Sequence, residues 1–170
     1  MQFKRKIQGR TDYRKRLSLV KSRLPRLVVR KSLKNILAQI VEYNENGDKV
    51  LASASTKELE KKFSLKSSRK NIPSAYLLGL LVGKKALAKG IKKAILDIGL
   101  YRNVKGSRLY AVLKGSIEAG LDIPHNKKTL PSQDRLEGKH IISNYQKQNK
   151  QYKIPDLGKH INEIKAKILK

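Results

Sequence analysis

The sequence predicts an α/β domain: a mixed sheet, made of an antiparallel meander plus a crossover strand, flanked by helices, with a basic N-terminal arm and a helical C-terminal extension. Three observations predict it. Apolar runs interleaved with polar residues come first, in RLVVRKSLKNILAQIVEYNENGDKVLASAS, as expected of strands. Two helical stretches, SAYLLGLLVGKKALAKG and SRLYAVLKGSIEAG, then enclose the short apolar run AILDIG. Strands, helix, strand, helix is the order of a layered α/β structure, with the late strand parallel to a neighbour through a right-handed crossover.

Residues 1–25 read as a basic arm ending at Pro25, whose fixed φ and missing donor suit a boundary. From Met1 to Lys31 there are twelve Lys and Arg against one acid, Asp12, and no apolar run before Leu27. Residues 26–123 read as the core. Its first runs are Leu27 to Val29, Ile36 to Tyr43 and Val50 to Ala54, and Asn46-Gly47 suits the turn between the last two because it tolerates positive φ. KKFSLKSSRKN, 61–71, carries five basic residues and no acid and reads as a basic loop or irregular helix. A buried helix follows, with Ser74 as its cap and Lys89-Gly90 as its close. AILDIG reads as an interior strand. The next helix has Ser107 as cap, Leu109, Val112, Leu113 and Ile117 on one face, and Gly120 as stop. Residues 124–170 form a basic extension with eleven Lys and Arg against four acids. SNYQKQNKQYK reads there as a solvated linker. Leu157, Ile161, Ile164 and Ile168 recur at helical spacing behind a cap at Asp156, and such a stripe needs a surface.

The 170 residues carry a net charge of +27, far more than solubility requires, and self-repulsion on that scale calls for a polyanion. Nucleic acid is the first candidate. An anionic membrane is the second, although no membrane partner is expected; no run approaches the roughly 18 apolar residues of a spanning helix, and the basic opening lacks the apolar core of a secretory signal. The expected location is the cytosol. With no Cys and three His, disulfides are excluded, a structural zinc site has too few ligands, and no metal or cofactor is expected.

Arg10, Arg14, Arg16, Arg23 and Arg26 supply guanidinium forks that match phosphate oxygens. Tyr13 and Phe3 add rings able to stack on bases. Runs of like charge of this kind stay disordered until a polyanion orders them. A second candidate is the loop LYRNVKGSRLY, where Tyr101, Arg102, Lys105 and Arg108 surround Gly106 between a strand end and a helix start. GLLVGKK is neither a P-loop nor a membrane dimer motif: Gly79 and Gly83 bracket three residues, no Ser or Thr follows the Lys, and Lys84 and Lys85 end the apolar run. Close helix packing explains it. Catalysis would need converging acids, and the candidates are Asp97 on the predicted interior strand, Glu58 and Glu60 at a strand exit, and Glu118 at a helix end. Their positions argue against an enzyme, and the three His lack a Ser or Cys partner for triad chemistry.

GRTDYRKRLSLVKSRLPRLVVRKSLKNILAQIVEY, LASAST, GIKKAILDIGLYRNVKGSRLYAVLKGSIEAGLDIPH and DRLEGKHI together resemble the family of ribosomal large-subunit protein eighteen, which binds 5S ribosomal RNA. The TDYRKRL entry and the extension beyond Pro124 are similar to its archaeal branch. The resemblance covers roughly Gly9 to Ile141, and the last fifteen or so residues depart from it. It implies a structural constituent of the large ribosomal subunit that clasps 5S RNA in the central protuberance and helps attach it to 23S RNA. It also implies neighbouring ribosomal proteins, including another 5S-binding one. RNA contacts carried over from the family fall on Arg5, Lys6, Arg10, Arg14, Lys15, Arg16, Arg23, Arg30, Lys31, Arg102, Lys105 and Arg108. The terminal stripe either packs back on its own domain or docks on a ribosomal neighbour, and docking within the assembled subunit is the expectation. The alternative is an RNA-processing enzyme on a similar α/β core, resting on Asp97 and the two Glu near residue 60.

Overall fold

A computed structural model of the chain describes residues 4–148 and 156–169. Four strands, β1 (Arg26–Lys31), β2 (Ile36–Glu42), β3 (Lys49–Ser55) and β4 (Ile95–Asp97), form one sheet in the order β3-β2-β1-β4. β1, β2 and β3 pair antiparallel, whereas β4 runs parallel to β1 with Leu27 opposite Leu96. The expected meander and crossover strand are both present. Gly47 takes φ of 131° in the β2–β3 turn and donates its N–H to the Asn44 carbonyl at 3.0 Å. β4, however, is an edge strand of three residues, not an interior one. Its apolar run reflects packing against the helical layer, where Ala94 is fully buried, and not pairing on both sides.

Helices supply the other layer. In the arm lie α1 (Lys4–Ile7) and α2 (Tyr13–Val20), neither with a buried residue. The arm therefore has local structure that its charge did not suggest. Asp12 explains α2: its carboxylate accepts from the N–H groups of Arg14 and Lys15 and caps the helix. After β3 comes α3 (Thr56–Phe63), which carries Glu58 and Glu60, so these acids sit on a helix and not at a strand exit. The Ser55 hydroxyl caps it. Residues 61–63 of the basic stretch finish this helix, and the rest loops across the domain with Leu65 and Ser67 buried.

α4 (Ile72–Leu87) is buried along nearly its whole length. Its cap is Asn71, whose Oδ1 accepts from Ser74 N–H at 2.8 Å, and not Ser74 itself. Pro73 fits the first turn, where its missing donor is not needed, and the Ser74 hydroxyl instead donates to the Ser68 carbonyl at 2.7 Å. α5 (Arg108–Glu118) starts after Ser107 and ends before Gly120, at φ of 109°. The two helices meet through glycine. A Cβ on Gly79 would lie 2.1 Å from the Val112 carbonyl oxygen, and one on Gly115 would lie 2.2 Å from that of Tyr76. GLLVG is thus a close-packing motif, as its sequence suggested.

Then follow α6 (Gln133–Glu137), α7 (Lys139–Lys147) and α8 (Leu157–Leu169). Part of the expected linker, residues 143–147, belongs to α7, and residues 149–153 lie outside the described residues. α8 departs from expectation. Leu157, Ile161, Ile164 and Ile168 are each at most 2% exposed within this chain, in the same core as α4. Polar contacts fasten the helix: Lys84 Nζ donates to the Ile168 carbonyl at 2.8 Å, Lys165 pairs with Glu118 at 3.1 Å, and Lys66 N–H donates to His160 Nε2 at 3.3 Å. The stripe packs on its own domain, and no ribosomal neighbour is needed to cover it. α4 is apolar on all sides, so after the sheet and α5 have covered two of them it still offers a surface. Hydrogen exchange on the free protein is expected to show the amides of residues 161–168 protected far beyond the level of an isolated short helix, which is marginal in water. Protection that arises only on ribosome assembly would overturn this packing.

Candidate nucleic-acid interface

Alternation along the strands sends Leu27 and Val29 into the core and Arg26, Val28 and Arg30 to the opposite face of the sheet. The helical layer leaves that face open. The arm lies across it instead and bounds a groove of about 760 Å³. Arg5, Arg10, Lys15 and Arg16 line it from the arm, Arg26 and Arg30 from β1, and Tyr101 from the loop after β4.

Two aspartates organise this charge. Arg26 donates Nη1 to Asp97 Oδ2 at 2.9 Å and Nη2 to Asp48 Oδ2 at 2.7 Å, and Arg16 Nη2 donates to Asp48 Oδ1 at 2.9 Å. Arg30 Nη2 lies 3.5 Å from Asp97 Oδ1, while its Nη1 donates to the carbonyls of Val29 and Asp97. Gly99, at φ of 60°, lets the chain turn beside this guanidinium: a Cβ there would stand 3.1 Å from Arg30 Cζ. Asp97 also accepts the Gly99 N–H at 2.8 Å. Arg26 is 3% exposed and both its forks are spent inside the protein, so it holds β1, β4 and the β2–β3 turn together and is not a phosphate ligand. Arg30 keeps 42% of its side chain exposed.

Tyr101 has a positioning part as well. Its hydroxyl accepts from Lys31 N–H at 3.0 Å and donates to the Lys31 carbonyl at 2.9 Å, and Lys31 Nζ sits 4.5 Å above the ring. Lys6, Arg14 and Arg23 are exposed on the arm outside the groove, and half-buried Tyr13 opens α2. Phe3 lies outside the described residues. Arg102, Lys105 and Arg108 also fall outside the groove, although Arg102 and Lys105 are solvent-exposed. Arg108 Nη1 donates to the Lys70 carbonyl at 3.0 Å, and a Cβ on Gly106 would stand 3.4 Å from Arg135 Nη1. This loop therefore shares a second basic surface with Lys70 and Arg135. Sequence reasoning missed the organisers Asp48 and Asp97 because their partners are distant in the chain. It missed Lys70 and Arg135 for the same reason.

The acids considered for catalysis are separately engaged. Glu58 binds Lys85 at 2.7 Å and Lys62 at 3.0 Å; burial alone would raise its pKa, and the two ammonium groups outweigh that and lower it. Glu60 pairs with Arg69 at 2.8 Å. Glu118 accepts from Tyr76, whose hydroxyl is pushed up to about 12 by burial and by that carboxylate. Among the described residues no group of three or more His, Cys, Asp or Glu could hold a metal ion, and no helix is long and apolar enough to cross a membrane.

A mixed α/β sheet with one face packed by helices and the other roofed by a basic arm defines a protein shaped around a polyanion. Comparison with known proteins says which kind. The family described as "Ribosomal large subunit proteins 60S L5, and 50S L18" matches residues 1–93 and 88–126. Large ribosomal subunit protein uL18 of Caldivirga maquilingensis is 46% identical over 186 aligned positions, which span 99% of this chain and 89% of the relative. The chain belongs to this family of large-subunit ribosomal proteins. It is a structural ribosomal protein of the archaeal type, at work in the large subunit of the cytoplasmic ribosome, and not an enzyme. The RNA-processing alternative is thereby set aside.

Proposed function

We propose that this chain binds 5S ribosomal RNA and helps attach it to 23S ribosomal RNA in the central protuberance, beside another 5S-binding protein. The observation that carries the reading is the groove, where arm and sheet face bring Arg5, Arg10, Lys15, Arg16 and Arg30 around one concave surface. In this reading residues 1–25 are an RNA-binding arm, 26–123 the core, and 124–170 a basic extension. Lys6, Arg14 and Arg23 prolong the groove's charge along the backbone of the RNA, with Tyr13 as a stacking ring, while Lys31 and Tyr101 shape its edge. Arg102, Lys105 and Arg108 offer the second surface. A folded RNA is recognised through its shape, phosphates and 2′-hydroxyls, which suits a rigid sheet flanked by guanidinium groups.

Titrating 5S RNA against the protein at several salt concentrations tests this. Contacts to about eight phosphates predict that the logarithm of the binding constant falls with log salt at a slope of roughly 6 to 7. A slope shallower than about 2 overturns the reading. So does equal affinity for an unrelated folded RNA of the same length.

A further inference from the structure

The turn between β1 and β2 displays one leucine almost entirely to water. Leu33 is 91% exposed. A single exposed apolar residue is ordinary, but this one stands on a turn closed by three hydrogen bonds between Ser32 and Asn35. The Ser32 N–H donates to the Asn35 carbonyl at 2.8 Å, and the Ser32 hydroxyl both donates to that carbonyl and accepts the Asn35 N–H, each at 2.9 Å. Beneath the turn, Tyr101 grips both backbone groups of Lys31, and Ile36 N–H donates to the hydroxyl of fully buried Thr56 at 3.0 Å. These bonds hold the base of the turn, which lowers the ordering cost of presenting Leu33 to a partner.

We propose that Leu33 is a nucleobase-contacting residue that packs against an unstacked base or an exposed base-pair end of the bound RNA. This inference rests on the reading of the chain as a 5S RNA-binding protein. Two features select RNA as the occupant. The turn is flanked by Lys31 and Lys34 and holds no acid, and only nucleic acid sets an apolar ring face beside a phosphate at every step of its chain. The apolar exposure also runs on toward the groove: Leu37, 37% exposed, lies directly across the strand pair from Arg30. Leu33 and Lys34 thus extend the candidate interface past its groove, with an aliphatic wedge of the kind proteins insert against bases.

Binding of full-length Leu33→Ala, Leu33→Phe and Lys34→Ala proteins to 5S RNA, across a salt series, tests this. Leu33→Ala is expected to weaken binding about tenfold, the scale of one leucine's burial, with the salt slope unchanged. Leu33→Phe should restore the affinity, because a ring stacks on a base at least as well. Lys34→Ala should instead lower the slope by about 0.7 to 0.9, one phosphate contact. Because Leu33 touches no core, thermal melting of the variants should match that of the wild type. Unchanged affinity in Leu33→Ala overturns the assignment while leaving 5S binding intact. Loss of assembly into the subunit without loss of RNA affinity overturns it too, in favour of a protein socket. Failure of the wild type to bind 5S RNA removes the parent reading and this one with it.

Discussion

Gly115→Ala is expected to destabilise the domain by about 3 kcal/mol or more, although alanine is the better helix former. The added Cβ would stand 2.2 Å from the Tyr76 carbonyl oxygen, 2.8 Å from Leu80 N and 3.1 Å from the Gly79 carbonyl carbon. All three are backbone atoms of α4. No rotamer change relieves the contact, so α5 must move away from α4, which the sheet and α8 hold in place. At about 2–4 °C per kcal/mol for a protein of this size, the melting temperature should fall by about 6–12 °C. Gly158→Ala is the control, since its Cβ would meet only Asp156 Oδ1, at 3.8 Å. It removes a helical glycine without a clash and should raise stability by as much as about 1 kcal/mol. Opposite signs at two helical glycines are the expected result, read by thermal or denaturant unfolding. A Gly115→Ala protein as stable as the wild type would show that the seam between α4 and α5 yields easily and that its tightness plays no part in stability.

Deleting residues 1–23 is expected to lower affinity for 5S RNA by two orders of magnitude or more near about 0.15 M salt, through loss of about four phosphate contacts. The deletion removes nine Lys and Arg. The salt slope should fall by roughly 3 at the same time, which separates lost phosphate contacts from general damage. Folding should survive. α1 and α2 contain no buried residue, and the arm's ion pair to the sheet, Arg16 to Asp48, is solvent-accessible on both sides. Asp48 would keep Arg26 as its partner at 2.7 Å. An exposed pair contributes about 0–1 kcal/mol, so melting should move by no more than about 4 °C. Disappearance of the cooperative transition would show that the arm belongs to the core.

Much of the fold was legible because it is written in local periods. In the run Ile36 to Tyr43 the interleaving of Ile36, Ala38 and Ile40 with Leu37 and Gln39 is a strand with one buried face, and the structure buries that face. Gly120 and Gly47 stand where positive φ was required. Errors occurred where local chemistry offered two answers: Ser74 and Asn71 are both good caps, and Pro73 decides between them by fitting the first turn. AILDIG looked interior because apolar density reports burial and not the number of pairing neighbours.

The site divides in the same way. Its charge was plain from composition, and Arg30, Lys31 and Tyr101 are neighbours in the structure as well as members of the expected set. Arg26 was misread, because its two carboxylates lie 22 and 71 residues away in the chain. By itself the sequence determined the class of fold, the basic character of the partner and the family, since these depend on local patterns and summed charge. Only the tertiary structure decided that α8 closes on α4, that Asp48 and Asp97 withdraw one arginine from the interface, and that Arg5, Arg10, Lys15, Arg16 and Arg30 surround one groove while Arg102, Lys105 and Arg108 lie outside it. Those outcomes depend on which surfaces meet, and contact between residues far apart in a chain leaves no period within it.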